Sequence, residues 1–310
     1  MSGHAGSDRP SSLRAILLAL GANFAIFLTK LAAALLTGSG SMAAEAVQSL
    51  ADCGNQCLLL LGMRQAKRAP TPEHPLGEGN ALYFWSFLVA MLLFSVGGMV
   101  SIYEGLHKLS HPEPLRWAWL AIGVLLIGIV AESFSLHACL REVNTARAGM
   151  PWWRWFRVSR SSELLVIFGE DLAALLGLSF ALIAVLATIL TGNPIYDACG
   201  SLAIGGLLVV VAVMLAVEVK ALLIGSSAEP AVRGEIRAFL DQHAEIAQVY
   251  NLITLQLGPD LMVATKARMR VSADDGKARA LIDAVNRVER EMRAKFPQVR
   301  WSFFEPDNDD

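Results

Sequence analysis

Six apolar stretches, each long enough to cross a bilayer, fill the first 225 residues of this 310-residue chain; a transmembrane helix needs about 20 such residues. They run over 13–37, 41–63, 82–108, 115–141, 162–190 and 197–223. The breaks between them carry the Gly and Pro residues that end helices, as in Thr37-Gly-Ser-Gly40, His111-Pro-Glu-Pro114 and Thr191-Gly-Asn-Pro194. Segments of this kind predict a polytopic α-helical membrane protein with six transmembrane helices.

Composition fits that reading. The chain is 54% hydrophobic and 17% charged, with a formal net charge of −2, where a soluble globular protein carries about 25% charged residues. A soluble enzyme and a disordered chain are disfavoured. A nucleic-acid binder is also disfavoured, because no excess positive charge would draw in a polyanion. The low charge is uneven: about 12% of residues before position 226 are charged and about 31% after it, close to the soluble average. The expected organisation is an N-terminal tail over 1–12, a transport domain over 13–225 and a dimerisation domain over 226–310.

Orientation follows from the Lys and Arg residues of short loops. One side collects Arg9, Arg14, Arg64, Lys67, Arg68, Arg141, Arg147, Arg154, Arg157 and Arg160, the other only Lys108 and Arg116. Both termini are therefore expected in the cytoplasm. The polar start MSGHAGSDRPSS reads as neither a signal nor a transit peptide, and the expected location is a bacterial cytoplasmic (inner) membrane. The run Pro151-Trp-Trp-Arg-Trp-Phe-Arg157 reads as an interfacial anchor to membrane lipid. Cys53, Cys57, Cys139 and Cys199 lie in apolar segments and read as packing residues, with no disulfide or zinc-finger spacing.

The tail predicts a small α+β domain. Helices are expected over 230–242 and 275–295, and strands over 246–256, 261–271 and 299–304. The second strand alternates Leu261, Val263, Thr265, Ala267, Met269 and Val271 with Met262, Ala264, Lys266, Arg268 and Arg270. The order αββαβ gives a three-stranded sheet covered on one face by two helices, and one face of so small a sheet is expected to pair with another subunit.

Polar residues inside the spans point to function, because charge at that depth is costly. Glu45, Gln48, Asp52 and Asn55 (or Gln56) fall at i, i+3, i+7 and i+10 in the second span, on one stripe of a helix. Glu170 and Asp171 stand side by side in the fifth span. Two facing sets of oxygen ligands suggest a divalent-cation site whose acids exchange metal for protons. The plainer reading is that these groups only join helices by hydrogen bonds. Lys30, Glu104, Glu132, His137, Asp197 and Glu218 occur singly, and Glu132 with His137 makes a poor ligand pair because the spacing is not i, i+4. Paired-aspartate proteolysis would need a second aspartate in a Gly-rich setting, which is missing.

Several runs together resemble the cation diffusion facilitator family, most of all its branch containing the mitochondrial zinc transporter. They are 37–56, His74-Pro-Leu-Gly-Glu-Gly-Asn80, Gly169-Glu-Asp-Leu-Ala-Ala174, Tyr196-Asp-Ala-Cys-Gly-Ser201, Leu223-Ile-Gly-Ser-Ser-Ala-Glu-Pro230 and Phe304-Glu-Pro306. The resemblance covers about residues 14–306. It implies a homodimeric metal–proton antiporter, a secondary active transporter and not an enzyme, with a ferredoxin-like cytoplasmic tail and no resident cofactor. It places the second-span ligand pair on Gln48 and Asp52 and the fifth-span acid on Asp171. The partner expected four residues before Asp171 is Ile167, which cannot bind metal; Glu170 can substitute and Glu45 can complete the site. The resemblance also places a weak second site on the loop at His74 and Glu78, with Thr71 where an acid is usual. In the tail it finds Tyr250 in place of a histidine, so the tail is expected to dimerise without a binuclear zinc site.

The expected function is efflux of a divalent cation, Zn²⁺ by family, coupled to protons. An all-oxygen set would suit Mn²⁺ or Fe²⁺ better, which gives the first alternative. A non-transporting metal sensor or scaffold is the second. An organic-cation carrier would call for an aromatic cavity, whereas the acidic stripe is flanked by Ala, Ser and Gly.

Overall fold

The computed structural model describes residues 40–111, 118–147, 149–270 and 278–308, with scattered helical positions between 17 and 35; over 40–48, and at Ala51 and Ala118, it describes backbone only. Helix α1 runs Gly40–Ala66 and α2 runs Ala81–Ser110. They are followed by α3 (Ala118–Arg147), the short α4 (Trp152–Val158), α5 (Ser162–Thr191) and α6 (Ile195–Ile224). The C-terminal part adds α7 (Pro230–Gln242), β1 (Ile246–Leu257), β2 (Asp260–Met269), α8 (Ala278–Lys295) and β3 (Val299–Pro306).

Four helices, α2, α3, α5 and α6, are long and apolar enough to cross a membrane. Six were expected. The first expected span, 13–37, is described only at scattered positions. Helix α1 has the length of a span at 27 residues, but Glu45, Gln48, Asp52, Asn55 and Gln56 dilute its apolar character. The residues that suggest function in α1 are the ones that weaken its hydropathy.

Short turns set the hairpins. Thr191 ends α5 because Gly192 takes the left-handed conformation (φ 69°), a common helix stop. Asn193 Oδ1 then accepts the Ile195 amide at 3.0 Å, so α6 starts at once. α6 packs along α5 and α2, and α3 packs on α5. The α2–α6 crossing is close because glycines face it. A Cβ on Gly98 would lie 2.8 Å from Val209, and one on Gly205 would lie 2.6 Å from Ile102. Without a hydrophobic drive between helices in lipid, such small-residue contact is how membrane helices associate. Large apolar side chains turn outward, among them Leu190, Trp119, Phe134 and Ile224.

Residues Leu93–Met99 of α2 are wound as a π-helix. Before α5, α4 presents Trp152 to the Arg147 guanidinium 4.6 Å from its ring centroid and stacks it on Phe168 at 5.8 Å. Cys53 and Cys139 are buried, whereas Cys57 and Cys199 sit on the outer surface of their helices, so only two of the four serve the bundle's interior packing.

The C-terminal part is a three-stranded sheet in the order β1-β2-β3. β1 and β2 are antiparallel, and β2 and β3 are parallel. The predicted alternation holds in β2: Leu261, Val263, Thr265 and Ala267 are buried and their neighbours face out. Ile236 and Leu240 of α7 and Val288 and Met292 of α8 close the buried face. On the other face Ile253 pairs with Ala264, and Ala264 with Phe303. Ile253 and Phe303 are 53% and 54% exposed, an apolar row across the open side. His243 is paired with Glu291 at 3.2 Å, and Tyr250 donates to the Asn308 carbonyl at 2.6 Å.

Among the described residues the two parts touch at the β1–β2 hairpin and at Arg160. Tyr83 donates to the Gly258 carbonyl at 3.3 Å, and Gly258 lies against Gly79 backbone to backbone. Arg160 donates to the Ser227 carbonyl at 2.9 Å, tying the start of α5 to the exit from α6.

Candidate cation site

A cavity of about 350 Å³ opens among α1, α2, α3, α5 and α6. Its polar lining is Asp52, Asn55 and Gln56 from α1, Glu132 from α3, Glu170 and Asp171 from α5, and Asn23. The apolar wall includes Leu92, Leu93, Val96 and Gly97 of α2. Leu93, Val96 and Gly97 belong to the π-helical stretch, a winding common at functional sites.

Asn55 Nδ2 donates to Glu170 Oε1 at 3.0 Å, and Gln56 Nε2 donates to Glu170 Oε2 at 3.3 Å. Each oxygen of one carboxylate is thus held by a different amide of α1. Asp171 is 4% exposed and accepts from Ser135 of α3 at 3.1 Å. Adjacent helical residues point about 100° apart, which lets Glu170 reach α1 while Asp171 reaches α3. Both line the same cavity.

Of the residues expected from sequence, Asp52, Glu170 and Asp171 come together here. Glu45 and Gln48 lie on α1, but their side chains are outside the described residues. Ile167 is fully buried in the apolar core, consistent with its inability to act as a ligand. Asn55 and Gln56 both face Glu170, where the sequence left a choice between them. Sequence reasoning passed over Glu132 by looking for an i, i+4 partner; the available signal was Ser135, three residues on and on the same face. Among the described residues no three His, Cys, Asp or Glu side chains form a group that could hold an ion. Carboxylates and carboxamides share the cavity with an apolar wall and do not form a closed cage among the described residues.

The loop residues behave differently. His74 and Thr71 exchange backbone hydrogen bonds at 3.1 Å. Glu78 accepts from Gln65 at 2.7 Å and pairs with Arg68 at 3.5 Å. The Gln65 hydrogen bond, helped by Arg68, holds the Glu78 carboxyl below the usual carboxylate range. Gln65 is itself fixed by Trp85, whose ring N–H donates to it at 2.9 Å.

Residues 16–224 match the cation efflux transmembrane domain. The chain belongs to the cation efflux family. Family members are transporters and not enzymes. The chain is 34% identical over 267 residues to the mitochondrial proton-coupled zinc antiporter SLC30A9 of Xenopus laevis, covering 85% of this chain and 47% of that protein. It is 33% identical over 251 residues to the human protein of the same name, covering 80% and 43%. It is 31% identical over 250 residues to metal tolerance protein C4 of Arabidopsis thaliana, covering 80% and 55%. The chain therefore spans about half the length of these relatives.

The expected bacterial cytoplasmic membrane is corrected by these likenesses: the SLC30A9 proteins of frog, human, orangutan and mouse are all mitochondrial by name. The inference from a missing transit peptide had no physical basis. The match covers less than half of those proteins, so the start of this chain says nothing about a leader.

Proposed function

We propose that this cation efflux protein moves a divalent metal ion across its membrane in exchange for protons, through the cavity between α1 and α5. The observation that carries the reading is the carboxylate Glu170 held by Asn55 and Gln56 beside Asp52 and Asp171, in a bundle where charge is costly. Carboxylates at that depth can bind either a metal ion or protons, so each displaces the other and a proton gradient drives release. Asp52, Glu170 and Asp171 supply the charge, with Glu45 and Gln48 completing the set from the same stripe of α1. Zinc is the proposed ion, supported by the names of the SLC30A9 relatives.

A second reading has a specific observation behind it. Among the described residues, every polar side chain that lines the cavity is a carboxylate or a carboxamide, and oxygen ligands suit Mn²⁺ or Fe²⁺. A second metal site at His74 and Glu78 would first have to break the bonds from Gln65 and Arg68 to Glu78. The protein works as a homodimer in this proposal. Support comes from the open sheet face, where Ile253 and Phe303 leave an apolar row for a second copy to cover.

Proteoliposome flux with Zn²⁺, Mn²⁺, Fe²⁺ and Cd²⁺ tests the function. Metal uptake that alkalinises the lumen in step, as exchange of lumenal protons for metal requires, and that Asp52→Ala abolishes while the protein stays folded, is the expected result. Full transport by Asp52→Ala would sink the site, and no metal flux in the wild type would leave the sensor or scaffold reading standing.

A further inference from the structure

The cavity takes a polar face from a third helix. On α3, Glu132 lines the cavity and is 9% exposed. Ser135, one turn along the same face, is 6% exposed and holds Asp171. The two residues between them face outward: Phe134 is 73% exposed, and Ser133, also exposed, turns its hydroxyl back onto the Ile129 carbonyl at 2.6 Å. The inward face of α3 therefore carries one carboxylate and one hydroxyl, between the buried Gly128 and Cys139.

A second observation lies across the cavity on α1. Gln56 is 1% exposed, and its amide nitrogen is committed to Glu170. Its carbonyl oxygen, Oε1, is buried with no hydrogen-bond partner among the described residues. An oxygen acceptor left unpaired in a low-dielectric site is costly, and a cation is a group that repays it. Glu132 stands on the same cavity wall system, where a buried carboxylate facing the bundle interior marks an ion path.

We propose that Glu132 is a direct ligand of the transported cation, with the Gln56 carbonyl as a neutral oxygen ligand, so that the site is built from three helices and not from α1 and α5 alone. Ser135 is a positioning residue, acting through Asp171. The inference rests on the cation-transport reading above. It explains why no three acids already form a cage: ligands on separate helices close around the ion when it enters, and they bring more oxygen donors than a four-ligand tetrahedral site uses. A larger oxygen shell also tolerates ions that prefer six ligands.

The test is equilibrium Zn²⁺ binding to the full chain in lipid nanodiscs. Glu132→Gln, nearly isosteric and uncharged, is expected to weaken binding by about tenfold or more, a step of roughly 1.4 kcal/mol. Glu132→Asp is expected to restore part of the affinity, and Ser133→Ala to leave it unchanged. In the unmodified protein, Zn²⁺ is expected to slow carbodiimide labelling of Glu132, read by peptide mass spectrometry, which needs no variant to fold. Glu132→Gln binding within twofold of wild type, or labelling of Glu132 untouched by Zn²⁺, overturns this inference alone. A wild type that binds no zinc, manganese or iron overturns the transport reading first.

Discussion

Asn55 of α1 donates a hydrogen bond to Glu170 of α5 at 3.0 Å, joining residues 115 positions apart in the chain. With Gln56 beside it, α1 grips both oxygens of one carboxylate. The grip positions Glu170 towards the cavity and couples the two helices there. Anything that draws Glu170 onto an ion must loosen it.

Asn55→Leu removes one of the two amide donors and leaves a carboxylate with one partner fewer. A hydrogen bond to a charged group contributes about 1.5–3 kcal/mol, so the apparent affinity for the transported metal is expected to change by about tenfold. Measuring KM and the maximal rate separately in proteoliposomes checks this. A KM unchanged from wild type would show that Glu170 needs no positioning.

Ser135→Ala takes away the donor that Asp171 accepts. Hydrogen bonds between membrane helices contribute about 0.6 kcal/mol on average, so thermal unfolding is expected to move little. The larger effect is expected on metal affinity and on the pH profile of transport, because Asp171 then points less rigidly. A thermal shift with no kinetic change would mark Ser135 as purely structural.

Gly79 and Gly258 form a close backbone contact at the hairpin, and Gly258 holds φ 61°, a conformation that costs other residues about 1–2 kcal/mol. Gly258→Ala is expected to destabilise through both effects, Gly79→Ala through the contact alone. Because they share that contact, the double variant is expected to lose less stability than the two single losses combined. Thermal unfolding of the three variants tests it, and strict additivity would show that the hairpin does not press on the loop.

Glu78 gives a pH expectation outside the membrane. Its folded carboxyl sits below the ordinary range, chiefly through Gln65. A depressed folded pKa contributes stability that is present above the unfolded value and lost as pH falls through the folded one. The 67–80 loop is thus expected to loosen on acidification below the usual carboxylate range, and Glu78→Gln to remove that step. Hydrogen exchange of the loop at several acidic pH values reads it; a loop insensitive to Glu78→Gln would refute it.

Much of the fold was legible because its signals are local. Length and hydropathy marked four helices, the alternation from Leu261 to Ala267 marked a strand and its buried face, and Gly192 with Pro194 marked a hairpin. Helix α1 was legible as a functional stripe more than as a span, since polar groups and hydropathy pull against each other there. In the cavity, Asp52, Glu170 and Asp171 stood out as charges in apolar runs. Glu132 did not, because a lone acid announces nothing until Ser135 is seen to reach a different helix. The choice between Asn55 and Gln56 was also closed to sequence: a π-helix, a tilt or a neighbour decides which adjacent residue faces inward, and here both do. The likeness to the branch containing the mitochondrial zinc transporter was legible in runs such as 37–56 and Gly169-Glu-Asp-Leu-Ala-Ala174; the location was not, because no local run marks a membrane.

The wide winding of Leu93–Met99 has an effect far from the cavity it lines. A stretch of π-helix in effect inserts one residue, turning everything beyond it by about 100° relative to uniform α-winding. Beyond it stands Lys108, whose ammonium lies 3.0 Å from Glu104 on its own helix and 3.0 Å from Asp197 on α6. If the stretch relaxed to ordinary winding, Lys108 would swing off Asp197. The ion pair at the far end of α2 is therefore a gauge of backbone register at the cavity wall: a spectroscopic label placed near Asp197 would report any rewinding of that wall.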